Sequence, residues 1–214
     1  MTLIKKFVSI EQRWIPDVPG SALYLRPTLI GTRPALGVCA SDHAVLYVLA
    51  SPTGPFFSVP RPLRLWSESA HTRSWPGGTG AFKLGLNYAP GFAPQRAAAL
   101  RGYDQVLWLL DEGALLDGEG EAGQPERCRV TEAGAMNIFF VLSREGEARS
   151  DDLEVVTPRL DGTILPGITR ASVLALAEAH PSQGVLPGVP ASTRLFPIER
   201  RITCLLYTSD AADE

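Results

Sequence analysis

The alternation of hydrophobic and polar positions predicts a series of short strands along the chain. Ser21–Ile30 mixes aromatic and aliphatic residues with polar ones and ends at a glycine, which is typical of a strand. His43–Ala50 is a short apolar run before a turn signal and predicts a buried strand. Gln105–Leu110, Met136–Ser143 and Leu153–Pro158 predict further strands.

Two helices are predicted between these strands. Pro94–Gly102 has an alanine-rich centre and a terminal glycine. Pro166–His180 has apolar residues at helical spacing and a proline near its start. Ser51–Pro62 holds four prolines and predicts an interdomain linker, and the acidic, glycine-rich Asp111–Cys128 predicts an exposed loop. The chain therefore belongs to the α/β or the α+β class, and the pattern leaves both open.

Composition narrows the possible functions. The 214 residues are 45% hydrophobic and carry a formal net charge of -3, so a globular core is expected and a nucleic-acid partner is not. No apolar run approaches the roughly 18 residues that span a bilayer, so no membrane association is expected. Cys39, Cys128 and Cys204 lack metal-binding spacing, and we expect reduced thiols and no metal site.

The last eleven residues are set apart by their sequence. Cys204–Glu214 resembles the translation of a common sequencing adapter, so we expect that this segment is not biological and that the protein continues beyond Thr203. The segment carries three acids and no base, and without it the formal net charge would be zero.

A glycine-rich segment, Trp75–Pro90, surrounds a single lysine, Lys83. Glycine backbone allows a ligand to approach closely. The segment does not fit the P-loop, because Phe82 precedes the lysine and Leu84 follows it. Desolvation by these two neighbours would lower the pKa of the ammonium group, as a Schiff-base lysine requires. The alternative is a lysine that extends into solvent from the edge of a strand.

Two later features have less specific meaning on their own. Glu132 lies between apolar residues before a small-residue turn, so it is either a buried carboxylate that needs a cationic or N–H partner or a capping residue. The start of the Pro166–His180 helix offers free N–H groups at Ile168 and Thr169, which suit a phosphate.

Taken together and in this order, these features resemble the branched-chain amino-acid aminotransferases, which are fold-type-IV enzymes that use pyridoxal 5'-phosphate (PLP). Six blocks carry the resemblance: Leu23–Gly31, Ala35–Val38, Phe82–Pro90, Gln105–Leu109, Thr131–Asn137 and Ile164–Arg170.

The resemblance implies roles around the cofactor. Lys83 would bind PLP covalently and then act as the general base. Glu132 would pair with the pyridine nitrogen and keep it protonated. Tyr88 would hydrogen-bond the phenolic oxygen of PLP, and the N–H groups of Ile168 and Thr169 would bind the phosphate.

It also implies a substrate side. Tyr24 and Arg26 would receive the substrate, with Arg26 favouring the second carboxylate of glutamate or 2-oxoglutarate. Leu36 and Val38 would reach the apolar pocket of a partner subunit in a homodimer, although both could instead be core residues. Ala135 lies at a substrate-binding position where many relatives carry threonine, so the hydrogen bond of that hydroxyl would be absent.

The implied organisation is an incomplete enzyme. Residues 1–50 would be the end of the small N-terminal domain, and residues 51–62 would be the interdomain linker. Residues 63–203 would form most of the large PLP-binding domain. A phosphate-binding arginine before the chain and a phosphate loop after it would be missing.

The implied reaction is amino transfer between leucine, isoleucine or valine and 2-oxoglutarate. The alternatives are a D-amino-acid aminotransferase or aminodeoxychorismate lyase of the same fold, or an inactive remnant without cofactor. We expect an intracellular protein, cytoplasmic or mitochondrial.

Overall fold

The computed structural model describes residues 1–55, 61–112, 127–144, 152–190 and 192–208. The chain divides into two compact units, Met1–Pro62 and Leu63–Glu214. In the part of the chain that the structure describes, no helix has the length and apolar character required to cross a membrane.

The first unit is built on one antiparallel strand pair. Helix α1 (Thr2–Glu11) is followed by strands β1 (Ala22–Gly31) and β2 (Ala44–Thr53). The two strands pair along their whole length, from Ala22 opposite Thr53 to Gly31 opposite Ala44. The structure confirms both predicted strands, but the prediction that the second is buried is wrong, because every residue of β2 is exposed or only partly buried. Strand β2 runs three residues further, into the segment predicted to be the linker.

The second unit contains two three-stranded sheets. The first has the order β3 (Leu65–Glu68), β4 (Gln105–Asp111), β5 (Cys128–Ala133), and the second has β6 (Phe140–Ser143), β7 (Leu153–Pro158), β8 (Leu195–Arg200). Strands β3 and β4 are parallel, as are β7 and β8, whereas β5 and β6 join their sheets antiparallel. The helices are α2 (Phe92–Leu100), α3 (Ile168–Gln183) and the short α4 (Leu205–Thr208).

Alternation of side chains along β4 explains how the first sheet is packed. Leu107 and Leu109 point into a core that both sheets share, where Val156 of β7 meets them. Val106 and Trp108 point to the opposite face and pack on Ala98 of α2. Because both faces of β4 are covered, this strand reads as a continuous hydrophobic run.

The second sheet is covered in the same way by α3. Val155 of β7 and Leu195 of β8 pack against Ala177 of the helix. The unit therefore has a core between its two sheets and one helix on each outer face. This frame positions the ends of β3, β5 and α3, where the candidate site lies.

Two predictions are wrong in detail. The strand predicted over Met136–Ser143 begins only at Phe140, because Ala133 and Met136 form a tight turn by pairing with each other. The predicted loop Asp111–Cys128 starts and ends inside strands β4 and β5, and its residues 113–126 lie outside the described residues.

Candidate active site

The segment that carries Lys83 is held by one buried amide. The Asn87 Nδ2 atom donates to the carbonyl oxygens of Thr79 at 2.8 Å and Phe82 at 2.7 Å, while its Oδ1 atom accepts from the Thr79 hydroxyl at 2.8 Å. Lys83 lies between this turn and the short 3-10 helix Gly85–Asn87, so the alternative that it extends from the edge of a strand is wrong. Hydrogen bonds from a buried asparagine fix the turn immediately before the lysine in one conformation.

Gly80 lets the same segment approach the region before α3. A Cβ atom at this position would lie 2.5 Å from the carbonyl oxygen of Thr163 and 2.6 Å from the Ser74 hydroxyl. Only glycine fits such a close approach.

Lys83 and Tyr88 are in direct contact. The Lys83 Nζ atom donates to the Tyr88 hydroxyl at 2.5 Å and lies 4.5 Å from the centre of its ring. The neighbours Phe82 and Leu84 are 62% and 43% exposed, and Lys83 is exposed as well. The expectation that these two side chains desolvate the lysine is therefore wrong. The notable feature of Lys83 is its tyrosine contact.

Glu132 is a buried carboxylate near the end of β5, where it pairs with a buried arginine and does not cap a helix or turn. Its Oε2 atom lies 2.9 Å from Nε of Arg73, and Oε1 accepts from the N–H of Leu165 at 2.8 Å. Burial raises the pKa of Glu132 above its usual value, although Arg73, the Leu165 N–H group and the charge of Lys83 each act to lower that pKa. The Glu132 carboxylate thus lies within the field of the Lys83 amine.

The loop before α3 brings the start of that helix to Glu132. Asn137 donates to the Leu165 carbonyl at 2.9 Å and lies 3.5 Å from the Glu132 carboxylate. Ile168 begins the helix with its side chain 84% exposed, and Thr169 is exposed as well. The first N–H groups of a helix have no acceptor within it, so this end can bind an anion.

A tight turn places Ala135 at a cavity of about 200 Å³, which Tyr88, Asn87 and Arg73 also line. The turn requires Gly134, whose φ is +56° and where a Cβ atom would lie 2.2 Å from Gln105 Oε1.

The four predicted substrate residues of the first unit are exposed. Arg26 donates to the Tyr24 hydroxyl at 3.3 Å, and its guanidinium lies 5.3 Å from the Tyr24 ring centre. Leu36 and Val38 are 105% and 108% exposed, so the alternative that they are core residues is wrong.

Three further residues of the site, Arg73, Asn87 and Asn137, were not predicted as functional from the sequence. Both asparagines fall inside the blocks that carry the family resemblance, directly before Tyr88 or at the end of the Glu132 block. The requirement for a cationic partner of Glu132 was a signal for Arg73. Nothing in the sequence indicated which of the arginines would supply it.

Comparison with known proteins identifies the family of the chain. The family model described as amino-transferase class IV matches residues 9–186. The chain belongs to this family. The match confirms the family resemblance that the sequence blocks indicated.

Individual relatives in this family are branched-chain-amino-acid aminotransferases. The mitochondrial enzyme of Schizosaccharomyces pombe is 46% identical over 178 residues, which are 82% of this chain and 37% of that protein. The cytosolic enzyme of Saccharomyces cerevisiae is 43% identical over 179 residues, covering 83% of this chain and 43% of that protein. The chain thus spans about two fifths of the length of these relatives.

A solved structure confirms the mixed α/β fold of class IV aminotransferases. An aminotransferase from Brucella abortus, bound to the co-factor PLP, is similar with a TM-score of 0.61 at 19% identity, over 99% of this chain and 60% of that one.

Proposed function

We propose that this chain is part of a PLP-dependent aminotransferase that exchanges the amino group between leucine, isoleucine or valine and 2-oxoglutarate. The observation that carries the proposal is the hydrogen bond between Lys83 and Tyr88. The charge of the same lysine lowers the pKa of the buried Glu132. An amine beside a fixed hydroxyl and a buried carboxylate is the set of groups that this chemistry requires.

The described residues fit PLP by their chemistry. Lys83 offers the amine for covalent attachment, Glu132 a buried anion for the ring nitrogen, and Tyr88 a hydroxyl for the phenolic oxygen. The exposed start of α3 offers the N–H groups of Ile168 and Thr169 to the phosphate. When bound, PLP supplies an electron sink for the carbanion that forms at the substrate α-carbon.

The residues of the chain would then position groups and move one proton. Lys83 Nζ would act as the general base that takes the proton from the substrate α-carbon and later returns it. The Tyr88 hydroxyl holds Nζ in place through its hydrogen bond. Glu132, which Arg73 and the Leu165 N–H group hold in place, would keep the ring nitrogen of PLP protonated.

The substrate preference rests on the relatives and on the first unit. The names of both relatives above specify branched-chain amino acids. Arg26 supplies an exposed guanidinium for the second carboxylate of 2-oxoglutarate or glutamate, and Tyr24 lies against it. Ala135, at the cavity, presents only a methyl group to the substrate.

A homodimer is part of the proposal. Leu36 and Val38 are apolar and wholly exposed, and an aminotransferase partner subunit would receive them. We infer an intracellular location, since the relatives include one mitochondrial and one cytosolic enzyme.

The proposal can be tested by reductive trapping. The chain contains only three lysines, so Lys5 and Lys6 on α1, both exposed, are internal controls for nonspecific labelling. The chain is incubated with PLP, reduced with borohydride and mapped by mass spectrometry. Labelling of Lys83 at PLP concentrations that leave Lys5 and Lys6 unmodified is the expected result.

Equal labelling of all three lysines in a folded sample would argue against a cofactor site and in favour of an inactive remnant. Separate assays then distinguish the proposed reaction from the alternatives. Turnover of L-leucine with 2-oxoglutarate supports the proposal, release of pyruvate from aminodeoxychorismate indicates a lyase, and consumption of a D-amino acid indicates a D-amino-acid aminotransferase.

A further inference from the structure

The ion pair between Arg73 and Glu132 is the most deeply buried one that the described residues contain. The two side chains are 3% and 2% exposed, and Nε and Oε2 are 2.9 Å apart. Arg73 also donates from Nη1 to the carbonyl oxygen of Thr163 at 2.9 Å. The guanidinium therefore joins the strand that carries Glu132 to the loop before α3.

Stability alone does not explain this pair. Desolvation of two charges offsets much of their attraction, and apolar replacements of buried pairs are often as stable. In addition, the buried Arg73 Nη2 atom has no hydrogen-bond partner among the described residues. A buried donor without an acceptor is unfavourable and calls for another reason to keep the arginine.

We propose that Arg73 is a positioning residue, which holds the Glu132 carboxylate ionised and fixed in orientation so that it can bind a protonated ring nitrogen. This inference rests on the proposed function, because it assigns Arg73 to the cofactor site described above.

The groups around Glu132 favour this role. Four of them face the carboxylate: the Arg73 guanidinium, the Leu165 N–H group, the Asn137 amide and, at longer range, the Lys83 ammonium. Burial raises the pKa of Glu132, and Arg73 is the strongest of the influences that lower it again. Without Arg73 the pKa of Glu132 would rise further, which favours the protonated form of the carboxyl group.

Orientation is the second part of the argument. The Ser74 hydroxyl donates to the same Thr163 carbonyl, at 2.5 Å, and Gly80 packs closely against it. The chain from Arg73 to Gly80, which leads into Lys83, is thus anchored at Thr163. Arg73 thereby fixes the distance between the lysine segment and Glu132.

The test is a double-mutant cycle of Arg73→Gln and Glu132→Gln, measured first by urea unfolding without PLP. In the unfolded chain Glu132 titrates near its ordinary pKa of 4.5. The pKa of Glu132 in the folded chain lies above that value. The protonated carboxyl group therefore contributes stability below pH 4.5, and this contribution is lost as the pH rises through the folded pKa. Arg73→Gln raises the folded pKa of Glu132, so its loss of stability should grow as the pH rises above about 4.5. In the Glu132→Gln background the same substitution should have an effect independent of pH.

A purely packing role gives a different result, since the loss would then be equal at every pH and in both backgrounds. That outcome overturns the inference. Arg73→Lys keeps the charge, so its loss of stability should grow less with pH than that of Arg73→Gln. Arg170→Gln is the matched control: Arg170 is also buried, but its ion pair is with Glu199, so its loss should not couple to Glu132→Gln.

The second readout is PLP affinity in the same cycle. Arg73→Gln should weaken binding by about tenfold, the equivalent of one charge-assisted hydrogen bond, and should weaken it no further once Glu132 is already glutamine. Losses that multiply would overturn the positioning role. Failure to trap PLP at Lys83 in the unsubstituted chain would overturn the proposed function instead, while the unfolding cycle still decides whether Arg73 controls the Glu132 charge.

Discussion

The two units of the chain differ in how much of their structure is self-supporting. Among the described residues of Met1–Pro62 no side chain is buried, and the strand pair exposes Leu29 at 69% and Leu46 at 66%. In Leu63–Glu214 three hydrophobic clusters hold two sheets and two helices together. An isolated two-stranded sheet is marginally stable in water, whereas a core between two sheets is stable by itself.

The proposed cofactor-binding residues and the proposed substrate-binding residues lie in different units. The residues proposed to hold PLP, Lys83, Tyr88 and Glu132, lie on the buried frame and make defined contacts with it. The residues proposed to select substrate, Tyr24 and Arg26, lie on the exposed strand pair. We infer that cofactor binding depends on the packing of the second unit. Substrate selection would depend on the contacts that the exposed strand pair makes with other parts of the enzyme.

The largest expected contrast is between two leucines. Leu109→Ala empties part of the core between the sheets, where Leu109 is 6% exposed, and should reduce the free energy of unfolding by about 2–5 kcal/mol. Leu29→Ala, in the exposed strand, should change it by about 0.5 kcal/mol or less. Urea unfolding followed by tryptophan fluorescence measures both. Equal losses would show that the strand pair is as well packed as the core.

The cysteines report the same contrast by their reactivity. Cys39 is exposed in the first unit, while Cys128 is buried and its pKa is raised to about 11, chiefly by burial and further by Asp111 and Cys204. Because only the thiolate reacts, Cys128 should be alkylated at least about a hundredfold more slowly than Cys39 at pH 8. Peptide mapping after timed iodoacetamide treatment measures both rates. Comparable rates would mean that the core opens readily.

Two glycines of the lysine segment test how tightly the frame holds it. Gly80→Ala places a methyl group against the Thr163 carbonyl and should destabilise the chain by about 1–3 kcal/mol, with loss of PLP trapping at Lys83. Gly85→Ala is the control, because a Cβ atom there meets nothing within 4 Å. A tolerated Gly80→Ala would show that the segment moves independently of the loop before α3.

Sequence pattern predicts the parts of this molecule that depend on local periodicity. The strand β4 and the helix α3 have runs long enough to show their period, whereas the four-residue strand β3 is too short for any pattern to stand out. In the site, Lys83 and Glu132 stand out by residue type and neighbours. The pairing of Glu132 with Arg73 depends on tertiary packing, so the sequence could indicate the need for a cation and not its position. The exposure of Lys83 was mispredicted because Phe82 and Leu84, its apolar neighbours in sequence, point into solvent.

The smallest expected effect concerns the Tyr88 hydroxyl. Tyr88→Phe keeps the ring beside the Lys83 ammonium but removes the oxygen that Nζ contacts at 2.5 Å. Because Lys83 is exposed, water can replace this hydrogen bond, and the free energy of unfolding should fall by about 1 kcal/mol or less. Trapping of PLP at Lys83 should nevertheless slow by several-fold, since the amine loses the contact that holds it in place.

Tyr103→Phe is the matched control, because this tyrosine lies in the same unit and its ring packs edge-on against Trp66, with centres 5.1 Å apart. It should leave the rate of trapping at Lys83 unchanged. If Tyr88→Phe also left that rate unchanged, Tyr88 would act through its ring alone. The frame around Glu132 would then position the cofactor without help from the hydroxyl group.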